Sequence, residues 1–180
     1  RLRDYKSNYK KAQLIVVTNC PQTLSLEQKK AFEEQLNLKV GQQLFFSCTQ
    51  YRQLYPLFGT ESARNLQSFR DQAILLLSGI AQPDSLTKYL KSQVEDCTLL
   101  TFNDHQHYRR KELGKILEAA EGKTIITTEK DAVKLALFSA QFTAKNIAVW
   151  VLPIKIVFLF EQETDFLDDI KNYINKNRPN

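Results

Sequence analysis

From residue 72 onward, short apolar runs alternate with amphipathic stretches, and this alternation constrains the fold more than any other feature of the chain. The runs at 73–77 (AILLL), 97–102 (CTLLTF) and 124–128 (TIITT) are too short for buried helices and read as strands. Each is followed by helical spacing. Leu86, Tyr89 and Leu90 form one stripe after Pro83, which suits a first helical turn. Leu113, Ile116, Leu117 and Ala120 form a second, closed by Gly122, and Val133, Ala136 and Leu137 a third behind Thr128 as a cap. Strand–helix–strand repetition implies parallel strands joined by crossover helices. The expected architecture is α/β, three layers α/β/α around a largely parallel sheet.

The N-terminal region has the same grammar in a truncated form. Residues 14–18 (LIVVT) and 44–48 (LFFSC) read as strands. Between them Ser25 caps a helix whose apolar positions are Phe32 and Leu36, with Gly41 just beyond its end. Two strands leave edges that want partners, so this piece is expected to belong to a sheet whose other strands lie upstream. Residues 49–70 have weak periodicity, with Pro56 and Gly59, and read as a connector. The runs 147–153 and 155–160 are either an antiparallel pair or one strand bent at Pro153. A last helix carries Phe166, Ile170 and Tyr173. The organisation expected is therefore 1–49, a linker at 50–70, and an α/β domain at 71–180. The chain contains no Met, which fits further sequence upstream of Arg1.

The formal net charge of +5 is concentrated at one end. Arg1, Arg3, Lys6, Lys10 and Lys11 against Asp4 contribute +4 of it, so residues 12–180 are nearly neutral. That argues against a nucleic-acid-binding face, while the basic segment suits phosphates, an anionic membrane surface or a solvated linker. No uncharged apolar run is long enough to span a bilayer. Cys20, Cys48 and Cys97 are isolated, without a Cys-x-x-Cys pair. They suggest neither a zinc site nor a disulfide framework, and a reducing compartment is expected.

In open α/β sheets, ligands bind beyond the strand C-termini, which draws attention to three loops. Gly79, in Ser78-Gly79-Ile80-Ala81-Gln82-Pro83, either lets backbone approach a ligand or turns the chain. Phe102-Asn103-Asp104-His105-Gln106-His107-Tyr108 holds both histidines. An imidazole oriented by a carboxylate moves protons near neutral pH, although the same residues also suit a polar turn. Asp104 with His107 could ligate a metal, but too few further ligands exist. Thr128-Glu129-Lys130-Asp131 begins a helix whose N–H groups and Lys130 could meet a phosphate, or is simply a cap with an exposed charged face. The sequence lacks a Gly-x-x-x-x-Gly-Lys-Ser/Thr loop, a Gly-x-Gly-x-x-Gly fingerprint and a Gly-x-Ser-x-Gly elbow. The chain therefore carries no self-sufficient catalytic set.

Taken in order, the segments Gly79-Ile80-Ala81-Gln82-Pro83, Phe102-Asn103-Asp104-His105-Gln106-His107-Tyr108, Thr128-Glu129-Lys130-Asp131-Ala132-Val133-Lys134 and Val151-Leu152-Pro153 resemble the C-terminal half of the tetraacyldisaccharide 4′-kinase (lipid A 4′-kinase) family. Arg1-Leu2-Arg3-Asp4 and Ile15-Val16-Val17-Thr18-Asn19-Cys20-Pro21 resemble the end of that family's N-terminal domain. The resemblance implies a monotopic enzyme on the cytoplasmic face of a Gram-negative inner membrane. Such an enzyme moves the ATP γ-phosphoryl group to the 4′-hydroxyl of a lipid A disaccharide 1-phosphate precursor. It implies a P-loop domain, to which residues 1–49 would be the remnant, and a smaller α/β domain joined by a short two-stranded linker. The phosphate loop, the magnesium-binding Asp pair and the catalytic Asp of the family lie in the N-terminal half, so ATP and Mg²⁺ would be held mainly there and this chain would be inactive alone. By position His105 matches the histidine that supports the catalytic Asp, with Asp104 orienting it. Gly79, Glu129 and Lys130 would face the nucleotide, and Glu129, Lys130 and Asp131 a cleft between domains. Where the family often has a second His this chain has Gln106. The alternative is a stand-alone α/β module that binds a nucleotide or phosphorylated ligand through the same loops.

Overall fold

The structure, a computed structural model, describes residues 6–79, 84–103 and 106–176. Strand β1 (Leu14–Val17), helix α1 (Leu26–Leu36) and strand β2 (Gln43–Tyr51) form the expected strand–helix–strand, with β1 parallel to β2 and Val17 opposite Phe46. Ser25 starts α1 through a reciprocal capping box. Its hydroxyl accepts the Gln28 N–H at 3.2 Å, and the Gln28 side chain accepts the Ser25 N–H at 2.9 Å. The helix ends earlier than the glycine suggested. Asn37 takes the left-handed closing conformation at φ 46°, a role its short polar side chain tolerates.

The chain divides into two units, one drawn from Arg1–Gln50 with Lys155–Asn180 and the other Tyr51–Ile154. The second unit contains β3 (Tyr55–Pro56), β4 (Ala73–Ser78), α2 (Asp84–Lys91), β5 (Asp96–Thr101), α3 (Arg110–Ala119), β6 (Thr124–Thr128), α4 (Glu129–Leu135), α5 (Ser139–Ala144) and β7 (Val149–Leu152). Pro83 lies outside the described residues. The sheet order is β3-β7-β6-β4-β5, parallel except for the short antiparallel edge strand β3. Side chains alternate across a strand, and β4 shows why a continuous apolar run is needed. Ile74 and Leu76 pack with Leu86, Leu90, Phe69 and Trp150 on one face. Leu75 and Leu77 pack with Leu113, Ile116, Phe142 and Val149 on the other. This is the expected three-layer α/β/α arrangement, with a largely parallel sheet covered on both faces.

Within residues 147–160, two strands at 149–152 and 154–158 are separated by Pro153 alone and join different sheets. A single residue between Leu152 and strand β8 (Ile154–Phe158) cannot make a hairpin, whose tightest common loop has two. Proline cannot donate to a ladder, and the Pro153 carbonyl instead accepts the Arg52 N–H at 3.0 Å. β7 pairs with β6 and β3, whereas β8 lies beside β2 in a three-stranded sheet ordered β1-β2-β8. In this first unit Phe46 and Phe45 point to opposite faces. Phe46 meets Phe32 of α1 and Phe160 edge-on, each at 5.9 Å. Phe45 meets Phe158 at 6.2 Å and Phe166 of helix α6 (Glu163–Lys176) at 5.1 Å. Phe166 anchors α6, while Ile170 and Tyr173, which the sequence places on the same face, are exposed. Among the described residues no helix is long and apolar enough to cross a membrane.

Candidate active site

Three loops leave the C-terminal ends of β6, β4 and β5, neighbours in the sheet, so parallel pairing puts them on one edge. Hydrogen bonds carry the order of the strands beyond their ends. The Phe102 N–H donates to the Ser78 carbonyl at 3.1 Å, and the buried Thr127 hydroxyl to the Leu77 carbonyl at 2.9 Å.

Asp131, on the first turn of α4, is the centre of this edge. It is 0% exposed, and a buried carboxylate persists only where donors replace its water. The Gly79 N–H donates to Oδ2 at 2.7 Å and the Tyr108 hydroxyl to Oδ1 at 3.1 Å. The Thr128 hydroxyl lies 3.4 Å from Oδ2, and the Lys134 ammonium 3.0 Å from Oδ1. Lys134 also sits 5.0 Å over the Tyr108 ring, a cation–π contact that joins three of these groups into one cluster. Thr128 occupies the N-cap position, but its hydroxyl makes no cap bond to the helix backbone and turns to the carboxylate.

Gly79 is explained by this neighbour. A Cβ there would lie 2.8 Å from Asp131 Oδ1. Its N–H is committed to the carboxylate. Tyr108 is buried and packs against Phe102 at 5.0 Å. Burial first, then the charge of Asp131 and the bond it accepts, push the phenol well above its ordinary range. Tyr108 is thus a neutral donor across the physiological range.

The other sequence candidates fall differently. Asp104 and His105 lie outside the described residues. His107 is exposed, and Gln106 reaches the Glu112 carboxylate at 3.4 Å. Glu112 is held below the usual carboxylate range, chiefly by the Arg109 N–H. Glu129 and Lys130 are exposed on the first turn of α4, and the charge of Glu129, after burial, raises the Tyr55 phenol. Asp131, grouped with them as a cleft residue in the sequence reading, is instead fully internal. The apolar stripe expected on α4 is also displaced. Val133 and Leu137 are 73% and 80% exposed, while Asp131, Ala132 and Leu135 face inward.

Neither Tyr108 nor Lys134 stood out as a site residue in the sequence. The available signal was a tyrosine in a segment entering a helix, whose hydroxyl must find a partner if buried. A lysine three residues beyond an aspartate was a second. Chemically, the cluster pairs one buried carboxylate with one ammonium and three neutral groups, the Gly79 N–H and the Tyr108 and Thr128 hydroxyls. Among the described residues no three His, Cys, Asp or Glu side chains gather to hold a metal ion.

A family model described as tetraacyldisaccharide-1-P 4′-kinase matches residues 1–175. A tetraacyldisaccharide 4′-kinase of Phocaeicola vulgatus is 33% identical over 186 aligned positions, covering 100% of this chain and 51% of its own length. The Flavobacterium johnsoniae protein of the same name is 35% identical, covering 98% of this chain and 49% of itself. That of Flavobacterium psychrophilum is 35% identical, covering 99% and 50%. The chain thus spans about half the length of the curated relatives it matches. A crystal structure of Aquifex aeolicus LpxK in complex with ATP is 20% identical, covering 92% of this chain and 44% of that one at a TM-score of 0.48.

Proposed function

Because the chain belongs to the tetraacyldisaccharide-1-P 4′-kinase family, we propose that it is the C-terminal half of a lipid A 4′-kinase and is inactive alone. The whole enzyme transfers the γ-phosphoryl group of ATP to the 4′-hydroxyl of a tetraacyldisaccharide 1-phosphate. The observation that carries this reading is the family match across residues 1–175. On this reading the β1–α1–β2 segment belongs to a P-loop domain whose phosphate loop, magnesium ligands and catalytic carboxylate lie in the other half. ATP and Mg²⁺ are held there, where the metal neutralises phosphate charge. The protein binds the cytoplasmic face of the inner membrane peripherally and has no nucleic-acid partner.

The contribution of this chain is positioning and proton handling. Phosphoryl transfer requires little covalent chemistry from the protein and depends on alignment of the acceptor hydroxyl. His105, with Asp104 orienting it, supports the carboxylate that takes the proton from the sugar hydroxyl. Glu129 and Lys130, exposed on α4, face the nucleotide-bearing half together with Gly79. The test is a phosphoryl-transfer assay with ATP and tetraacyldisaccharide 1-phosphate on the full-length enzyme. Wild type transfers phosphate to the 4′ position, His105→Ala loses about 10²–10⁴ in kcat, and residues 1–180 alone transfer none and bind ATP weakly or not at all. Unchanged turnover in His105→Ala would remove the histidine's role. Saturable ATP binding by the isolated chain would favour a stand-alone binding module.

A further inference from the structure

One carboxylate joins segments from three neighbouring strand ends. Asp131 receives the N–H of Gly79 directly after β4, the hydroxyl of Tyr108 just before α3, and the side chains of Thr128, at the N-cap of α4, and Lys134, in its last turn. Stability alone gives no reason for a charge at this place. Buried ion pairs replaced by well-packed apolar groups of similar volume are often neutral or stabilising. Just behind these ends, β4 and β6 carry apolar side chains 0% exposed on both faces, Leu76 and Leu77 on one strand and Ile125 and Ile126 on the other, so apolar packing partners for a plug lie close by. What a carboxylate supplies and an apolar group does not is direction, since each of its two oxygens accepts from different segments at defined angles. The glycine at 79 points the same way. The loop after β4 approaches the carboxylate so closely that a Cβ would lie 2.8 Å from Oδ1. Position 79 is fitted to Asp131.

We propose that Asp131 is the positioning residue of the phosphoryl-transfer site, with Tyr108 and Gly79 as its two remote anchors. This rests on the kinase reading given above. The carboxylate fixes the start of the loop after β4 and the end of the segment that joins β5 to α3. Tyr108 follows His105 by three residues in the sequence, so its anchor limits where that segment can present groups to the acceptor hydroxyl. Lys134 balances the charge, with its side chain 23% exposed at the rim. The neutral phenol of Tyr108 keeps donating at every pH at which the enzyme works. Asp131 itself, fully buried, touches neither substrate nor nucleotide, and its action is through the segments it holds.

The test uses the full-length kinase with ATP and tetraacyldisaccharide 1-phosphate, each variant normalised to its folded fraction by circular dichroism. Asp131→Asn preserves volume and removes the charge. A misplacement near 1 Å costs on the order of 10²-fold in rate, so kcat falls by about that factor while KM for ATP stays unchanged. The pH profile of kcat is displaced as well, because the proton-handling group is presented differently. A purely structural role lowers folded fraction and leaves the profile of the folded enzyme in place. Should Asp131→Asn not fold, Tyr108→Phe removes a single hydroxyl and carries the test, with kcat reduced about tenfold and the same displacement. Gly79→Ala is expected to reduce kcat when Asp131 is present and to add nothing in an Asp131→Ala background. Wild type without 4′-phosphoryl transfer would overturn the kinase reading and this proposal with it. An active wild type whose folded Asp131→Asn and Tyr108→Phe forms keep its kcat and pH profile would overturn the positioning role alone.

Discussion

Gly79 and Asp131 are matched in size, and Tyr108 and Asp131 in charge state. A methyl at position 79 meets Asp131 Oδ1 at 2.8 Å, an oxygen already fixed by Tyr108 and Lys134. The carboxylate cannot withdraw without losing those bonds. Gly79→Ala is therefore expected to destabilise the fold by about 1–3 kcal/mol, the range of overpacked sites, which urea unfolding measures as a lower midpoint at unchanged slope. Tyr108 makes a second prediction through linkage. Its phenol is raised in the folded protein, while in the unfolded chain it ionises near pH ~10. The unfolded state thus releases this proton first. The stability the neutral phenol contributes is complete below that pH and is lost as pH rises through the window above it. Tyr108→Phe loses roughly 1–3 kcal/mol at neutral pH, through lost hydroxyl bonding and an under-satisfied carboxylate. It also shows a shallower fall in stability above pH ~10 than wild type, read from denaturation midpoints across alkaline pH.

At the scale of elements, what the sequence reveals depends on length and on which partners an element meets. β4 was legible because a run buried on both faces has no polar alternation to confuse it, and α3 because its apolar spacing spans nearly three turns. α1 was legible through its cap. Ser25→Ala breaks a two-way capping box, so a loss of about 1 kcal/mol is expected, with faster amide exchange confined to the first turn of α1. α4 was misread because seven residues are too few to fix a stripe. Two candidate faces differ by one position there, and burial of Asp131 with its donors outweighs burial of Val133 and Leu137. Sequence periodicity treats a carboxylate as a surface residue, so it could not mark the one that gathers these buried donors. The segment after Pro153 was misplaced for a related reason. Its apolar pattern shows that it is a strand but carries no information about which of two sheets it joins.

For the whole molecule, the chain leaves the first unit after Gln50 and returns to it at Lys155, which separates sequence continuity from cooperative folding. Tyr51–Ile154 contains both faces of the five-stranded sheet, and every described member of its two apolar clusters lies within it. At about a hundred residues it has the size of an ordinary domain, and a chain trimmed to 51–154 is expected to melt as one cooperative transition. Residues 1–50 alone lack the second face of β2, because Phe45 packs against Phe158 and Phe166 from the far end of the sequence. They are expected to stay unfolded, whereas 1–50 linked to 155–180 by a short flexible segment regains structure. Phe45→Ala in the intact chain sharpens the contrast. It removes about 3–5 kcal/mol of packing from the first unit, so hydrogen exchange should rise in β1, β2 and α6 while β4 and β6 keep their protection. Uniform loss of protection across all these strands would mean that the two units fold as one, and the division at Gln50 and Lys155 would have no energetic meaning.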